Sequence, residues 1–79
     1  MPPTVTLYSA PWCAYCRIAK RFLDEQRVPY IEINIDEDEE AARRVEQWNN
    51  GNRTTPTLDI AGAILTNPTP AHLRQVLGL

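Results

Sequence analysis

Cys13 and Cys16 are the only two cysteines of the chain, and Ala14 and Tyr15 separate them. An apolar, β-branched stretch from Thr4 to Tyr8 precedes the pair, and a helical pattern from Arg17 to Arg27 follows it. The pair therefore falls at a strand-to-helix turn, the setting that reversible dithiol/disulfide chemistry needs. Placed there, Cys13 lies at a helix N-terminus, where unpaired backbone N–H groups and the macrodipole favour a thiolate over a thiol.

Three readings of the pair compete. A zinc site needs about four ligands, and beyond the pair the chain offers one histidine, His72, and no third cysteine. A purely structural disulfide would close a very small loop and add little cross-linking entropy. Redox catalysis is the remaining reading and the one a C-x-x-C beside a βαβ pattern signals. In it Cys13, at an exposed helix start, is the attacking thiolate, and Cys16, one turn in and more buried, is the resolving thiol.

The elements that position the pair follow from periodicity. Val5 and Leu7 alternate with Thr4, Thr6 and Tyr8 in a short first strand, and Ser9-Ala10-Pro11-Trp12 is a turn. A first helix is expected from about Cys13 to Arg27, with Ile18, Ala19, Phe22 and Leu23 inward and Pro29 as its stop. Tyr30 to Ile35 reads as a second strand, with Ile31, Ile33 and Ile35 on one face. Asp36 is the expected cap of a second helix, with Glu39 in the capping-box position and Ala41, Val45 and Trp48 as its apolar stripe. Asn49-Asn50-Gly51-Asn52 ends that helix. Thr57–Ile60 and Ala63–Leu65 flank Ala61-Gly62 as a hairpin. Thr69 caps a third helix with Pro70 at its first position, Gly78 at its end, and Leu73, Val76 and Leu77 inward. The order βαβαββα predicts an α/β fold, a four-stranded mixed sheet with helices on both faces, since a βαβ unit demands a parallel pair and the last hairpin adds antiparallel strands.

Seventy-nine residues make one small domain, 1–79, and 43% hydrophobic content is globular rather than disordered. A net charge of −2 gives no bulk attraction to nucleic acid or to an anionic membrane. No apolar run approaches the roughly 18 residues of a membrane span. Met-Pro-Pro-Thr lacks both the basic and the apolar part of a signal peptide. The expectation is a cytoplasmic chain, where a cycling disulfide is expected and a permanent one is not. A monomer is expected, because no long apolar stripe is left over for an interface.

Pro11-Trp12-Cys13-Ala14-Tyr15-Cys16, Asn52-Arg53-Thr54-Thr55-Pro56-Thr57 and the element order together resemble the thioredoxin-like fold, specifically its glutaredoxin branch, over essentially the whole chain. The usual glutaredoxin motif is C-P-Y-C; here alanine stands in place of that proline. Thr55-Pro56 matches the family's T-V-P segment. The resemblance implies that Pro56 is cis and lies beside Cys13, and that the Thr55 backbone pairs with the backbone of a bound thiol. Glutaredoxins that use glutathione carry Gly-Gly and an aspartate pair after the hairpin, whereas this chain has Leu65-Thr66-Asn67-Pro68-Thr69-Pro70. That combination is similar in pattern to the mycoredoxins, which serve mycothiol, although their motif is usually C-G-Y-C.

The resemblance implies a thiol-disulfide oxidoreductase that reduces mixed disulfides between proteins and a low-molecular-weight thiol. That thiol, mycothiol or one like it, is a co-substrate; no bound cofactor or metal is expected, and a flavin-dependent thiol reductase would act upstream. Two alternatives belong to other classes. A thioredoxin-reductase-linked donor for ribonucleotide reductase usually carries a Ser-Gly-Phe-Arg-Pro segment, absent here. A non-enzymatic iron–sulfur carrier usually has a single-cysteine C-G-F-S motif. Substrate-binding candidates are Trp12, Tyr15, Arg53, Thr55, Pro56, Thr66 and Asn67. Trp12 reads either as a cover for Cys13 or as turn packing, Tyr15 as a substrate platform or a plain first-turn residue, and Arg53 as a substrate-carboxylate contact, an electrostatic support for the thiolate or a solvated loop arginine. His72 reads as a surface or capping residue and not as a base.

Overall fold

The computed structural model describes residues 3–79; Met1 and Pro2, which the expected single domain 1–79 includes, lie outside the described residues. The elements are β1 (Val5–Ser9), α1 (Ala14–Glu25), β2 (Ile31–Asn34), α2 (Glu39–Trp48), β3 (Thr57–Ile60), β4 (Ala63–Thr66) and α3 (Pro70–Leu77). They form one sheet in the order β2-β1-β3-β4, with β1 parallel to β2 and antiparallel to β3, and β3 antiparallel to β4. This is the expected βαβαββα order and mixed sheet.

β1 is central, so both its faces are covered and consecutive residues enter different cores. Val5 and Leu7 pack with Ala19, Phe22 and Leu23 of α1, Leu58 and Ile60 of β3, and Leu73 of α3. Tyr8 faces the other way, into Ile35 and the α2 residues Ala41, Ala42 and Val45. Trp48 lies edge-on to the Tyr8 ring at a centroid distance of 5.4 Å. Helices α1 and α3 thus cover one face and α2 the other. The register sets Tyr8 opposite Ile33 and Thr57, which brings the end of β1, just before Cys13, next to the start of β3, just after Pro56.

Several boundaries and faces differ from the sequence reading. Helix α1 begins one residue later, because Cys13 is extended (φ −89°, ψ 110°) and acts as the N-cap. It ends before Pro29: Arg27 takes a left-handed φ of 56°, its N–H donates to the Asp24 carbonyl, and that of Val28 donates to Leu23. The cap of α2 is Asp38, whose Oδ1 accepts the Ala41 N–H at 3.0 Å; the Asp36 N–H is instead held by the Asn34 side chain at 2.9 Å. Three apolar residues expected inward are exposed: Ile18, Ile31 and Val76. Ile18 stands one position off the Cys16–Ala19–Leu23 row that meets the sheet, Ile31 lies on the edge strand beyond the cluster that Ile33 and Ile35 join, and α3 is anchored by Leu73 and Leu77.

The hairpin, the Thr69 cap, Pro70 at the first turn and the left-handed Gly78 stop of α3 are as the sequence predicts. The hairpin turn places Ala61 at φ 51° and Gly62 at φ 96°, positive at both central residues as a type I′ turn requires.

Candidate active site

β1 delivers the chain into a tight turn. The Cys13 N–H donates to the Ala10 carbonyl at 3.2 Å, which projects Pro11 and Trp12 into solvent and sets Cys13 at the mouth of α1. The Cys13 sulfur then accepts the Cys16 N–H at 3.1 Å, so the thiol itself is the cap of the helix. An oxygen cap satisfies one orphan N–H; here the same geometry also aims a partial positive charge at sulfur. Both thiols are free, and with Ala10 they form a small buried cluster.

Cys13 is less open than expected of an attacking thiol: it is 6% exposed against 1% for Cys16. The ranking is as expected, but the opening is a narrow one above the sulfur. Across it lies Thr55, whose carbonyl accepts the Cys13 S–H at 3.5 Å, followed by the Thr55–Pro56 peptide, which is cis.

The surroundings drive the two thiols apart in acidity. Burial pushes the Cys13 pKa up, but hydrogen bonds from the Cys16 and Thr55 side chains and from the backbone N–H groups of Cys16 and Tyr15 outweigh it, and the net shift is downward. Burial and the Cys13 sulfur push Cys16 up to about 11. The negative charge on sulfur is thus concentrated at the outer cysteine, while the inner one keeps its proton. One dithiol holds a ready nucleophile and a reserve that ionises only when called on.

The other predicted site residues are not all gathered there. Trp12 and Tyr15, on either side of Cys13 in the sequence, are 74% and 62% exposed. Tyr15 and Ile18 also line a cavity of about 170 Å³, closed on its far side by Asn67, Pro68, Thr69 and Pro70. Thr66 and Arg53 are held elsewhere: the Thr66 hydroxyl donates to the Asn49 side chain, and the Arg53 guanidinium reaches Glu39 at 2.8 Å and Glu46 at 3.5 Å on α2. Asn67 takes a left-handed φ of 46°, and its N–H donates to the Pro56 carbonyl at 2.8 Å. His72 is an exposed first-turn residue whose N–H is capped by Thr69.

The sequence and the fold both have known relatives. The family model described as Glutaredoxin matches residues 5–65, which hold both cysteines and the Thr55–Pro56 segment. The chain belongs to the glutaredoxin family. It is 43% identical over 70 residues to mycoredoxin 1 of Corynebacterium glutamicum, covering 87% of this chain and 86% of that one. The crystal structure of the thioredoxin-like protein BC3987 superposes with a TM-score of 0.84 at 30% identity, covering 94% of this chain and 100% of the other. The glutaredoxin of Methanosarcina mazei Go1 shares the fold, with a TM-score of 0.83 at 24% identity over 96% of this chain and 79% of that one. As a glutaredoxin-family member the chain is a thiol-disulfide oxidoreductase.

Two groups near this glutaredoxin site escaped the sequence reading. One is Asn49 with Thr57, fully buried, at the junction of α2, β3 and β4. The other is Ser9, which donates to Glu32 at 2.8 Å while Lys20 donates to the same oxygen at 3.0 Å, and the two together hold the Glu32 carboxyl below its usual pKa. Neither leaves a local signature, because each links residues on separate elements.

Proposed function

We propose that the chain reduces mixed disulfides between proteins and a low-molecular-weight thiol, with Cys13 as nucleophile and Cys16 as resolving thiol. The observation that carries this is the split acidity: a Cys13 sulfur that caps α1 and is shifted toward thiolate, over a Cys16 held up at about 11. The Cys13 thiolate attacks one sulfur of the substrate disulfide. A Cys13–sulfur bond forms, the substrate S–S bond breaks, and the released thiolate takes a proton from water. Where Cys13 has taken the small thiol, a second small thiol attacks that sulfur and frees Cys13. Where it has taken the protein, Cys16 gives up its proton and attacks the Cys13 sulfur; the protein thiol leaves, and the Cys13–Cys16 disulfide carries away the two electrons' worth of oxidation. A low pKa makes Cys13 both the attacking group and the better leaving group in the step where a second small thiol frees it.

The choice of small thiol rests on the segment Leu65–Pro70. It offers no carboxylate to hold an α-amino group, and the cavity between Tyr15 and Pro70 is lined by uncharged side chains. That, with the likeness to mycoredoxin 1, favours a mycothiol-type thiol over glutathione as co-substrate. A flavin-dependent reductase would regenerate it, in the cytoplasm, with the chain acting as a monomer. The test compares turnover of a protein mixed disulfide with a mycothiol-type donor system and with glutathione. The mycothiol system is expected to be the faster; turnover with glutathione alone overturns the assignment. Cys13→Ser is expected to be inactive and Cys16→Ser to retain mixed-disulfide reduction. An equally inactive Cys16→Ser protein would show that the dithiol route is obligatory.

A further inference from the structure

The Asn49 side chain touches three elements at once. Its Nδ2 donates to the Val45 carbonyl at 2.9 Å, which caps α2, and to Thr57 Oγ1 at 3.2 Å on β3. Its Oδ1 accepts the Thr66 hydroxyl on β4. Thr57 passes the link on, its hydroxyl donating to the Thr54 carbonyl at 2.8 Å. The direction of every proton in this chain is fixed. The carbonyls of Thr54 and Val45 can only accept, so Thr57 must donate to Thr54. Asn49 must then offer its NH2 to Thr57 and its oxygen to Thr66.

One end of this network leads to Thr55 beside the Cys13 sulfur, and the other to the cavity beside Tyr15. Thr54 precedes Thr55, which faces the Cys13 sulfur. Thr66 precedes Asn67, whose N–H donates to the Pro56 carbonyl and which lines the cavity beside Tyr15. We infer that Asn49 is a positioning residue for the redox site, which through Thr57 and Thr66 holds the Thr55–Pro56 wall at its working distance from Cys13 and the Asn67 wall against it. It touches neither substrate nor sulfur. It acts by keeping the Thr55 side chain, whose hydrogen bond helps draw the Cys13 pKa down, and the substrate groove in register.

The inference rests on Cys13 as the nucleophile, and the two fail separately. An active Cys13→Ser protein removes the nucleophile assignment, whereas the Cys13 titration reads the brace whatever the substrate is. The experiment measures thiolate absorbance against pH, and kcat and KM for a protein mixed disulfide, in Asn49→Leu, Thr57→Val and Thr57→Ser proteins. Asn49→Leu and Thr57→Val keep the volume and lose the hydrogen bonds. Both are expected to move the Cys13 titration upward by about half a pH unit or more and to raise KM roughly threefold or more, with kcat less affected. Thr57→Ser restores the hydroxyl and is expected to restore both readouts. Asp59→Ala removes a hairpin contact to the Gly62 N–H and is expected to lower the melting temperature without moving either. If Asn49→Leu does not fold, Thr66→Val, at an exposed position, gives the same reading. A lowered melting temperature with titration and KM unchanged in Asn49→Leu and Thr57→Val would make Asn49 a helix cap and nothing more.

Discussion

At the scale of single residues the two cysteines carry opposite pH signatures. The Cys13 pKa is lowered by folding, so its contribution to stability is present above the unfolded value of about 8.5 and is lost as pH falls through the lowered folded value. The Cys16 pKa is raised to about 11, so its contribution is complete below about 8.5 and is lost as pH rises toward about 11. Reduced protein is therefore expected to gain stability up to about pH 8.5 and to lose it above. Chemical denaturation across that range checks this, and Cys16→Ala should abolish the alkaline loss and also shrink the gain, because the Cys16 thiol helps draw the Cys13 pKa down. The placement of these residues, Cys13 at the start of α1 and Cys16 one turn in, was legible in the sequence because the C-x-x-C spacing and the turn that presents it are local. That Arg53 pairs with Glu39 and Glu46, and that Thr66 pairs with Asn49, was not legible, because each partner lies on another element.

At the scale of elements the caps and turns decide where chemistry can sit. Thr69, Pro70 and Gly78 bound α3 as their types dictate, because capping is a local interaction. The Asp36–Glu40 run holds several carboxylates able to cap, and the choice of Asp38 falls to where β2 releases the chain. The β3–β4 hairpin carries a local mismatch. Ala61 occupies a left-handed position that costs an L-residue with a β-carbon roughly 1–2 kcal/mol, and asparagine before glycine is the preferred pair there. Ala61→Asn is expected to recover about 1 kcal/mol, which raises the melting temperature of a domain this size by roughly 4–8 °C. The turn lies at the end of the sheet away from Cys13, where Ile60 pairs with Val5, so mixed-disulfide turnover should not change.

At the scale of the whole molecule, α1 and α3 share one core and the site depends on both. Helix α3 is fastened chiefly by Leu73, fully buried against Val5, Leu7 and Phe22, with Leu77 partly buried beside it. Its first turn closes the cavity opposite Tyr15. Leu73→Ala is expected to cost about 2–5 kcal/mol, a large share of the roughly 4–12 kcal/mol a chain of this length commands. Val76→Ser, on the exposed face of the same helix, should stay within about 0.5 kcal/mol. Urea denaturation of the two variants separates them. If Leu73→Ala proves as mild as Val76→Ser, α3 is not anchored through that side chain.

The sequence by itself determined the element order, the strand-to-helix turn that holds the cysteine pair, the hairpin and the bounds of α3. Each follows from contacts within a few residues: periodicity, caps and turn preferences. Periodicity also placed Ala19, Phe22, Leu23, Ala41, Val45 and Leu73 inside, but only tertiary structure decided that Ile18, Ile31 and Val76, with the same core chemistry, take surface positions. Tertiary structure also decided what surrounds Cys13. Thr55 is 42 residues away along the chain and 3.5 Å away across the groove, and the Asn49 brace spans three elements. A side chain's partners at that separation are set by sheet register and helix packing, which no local pattern encodes.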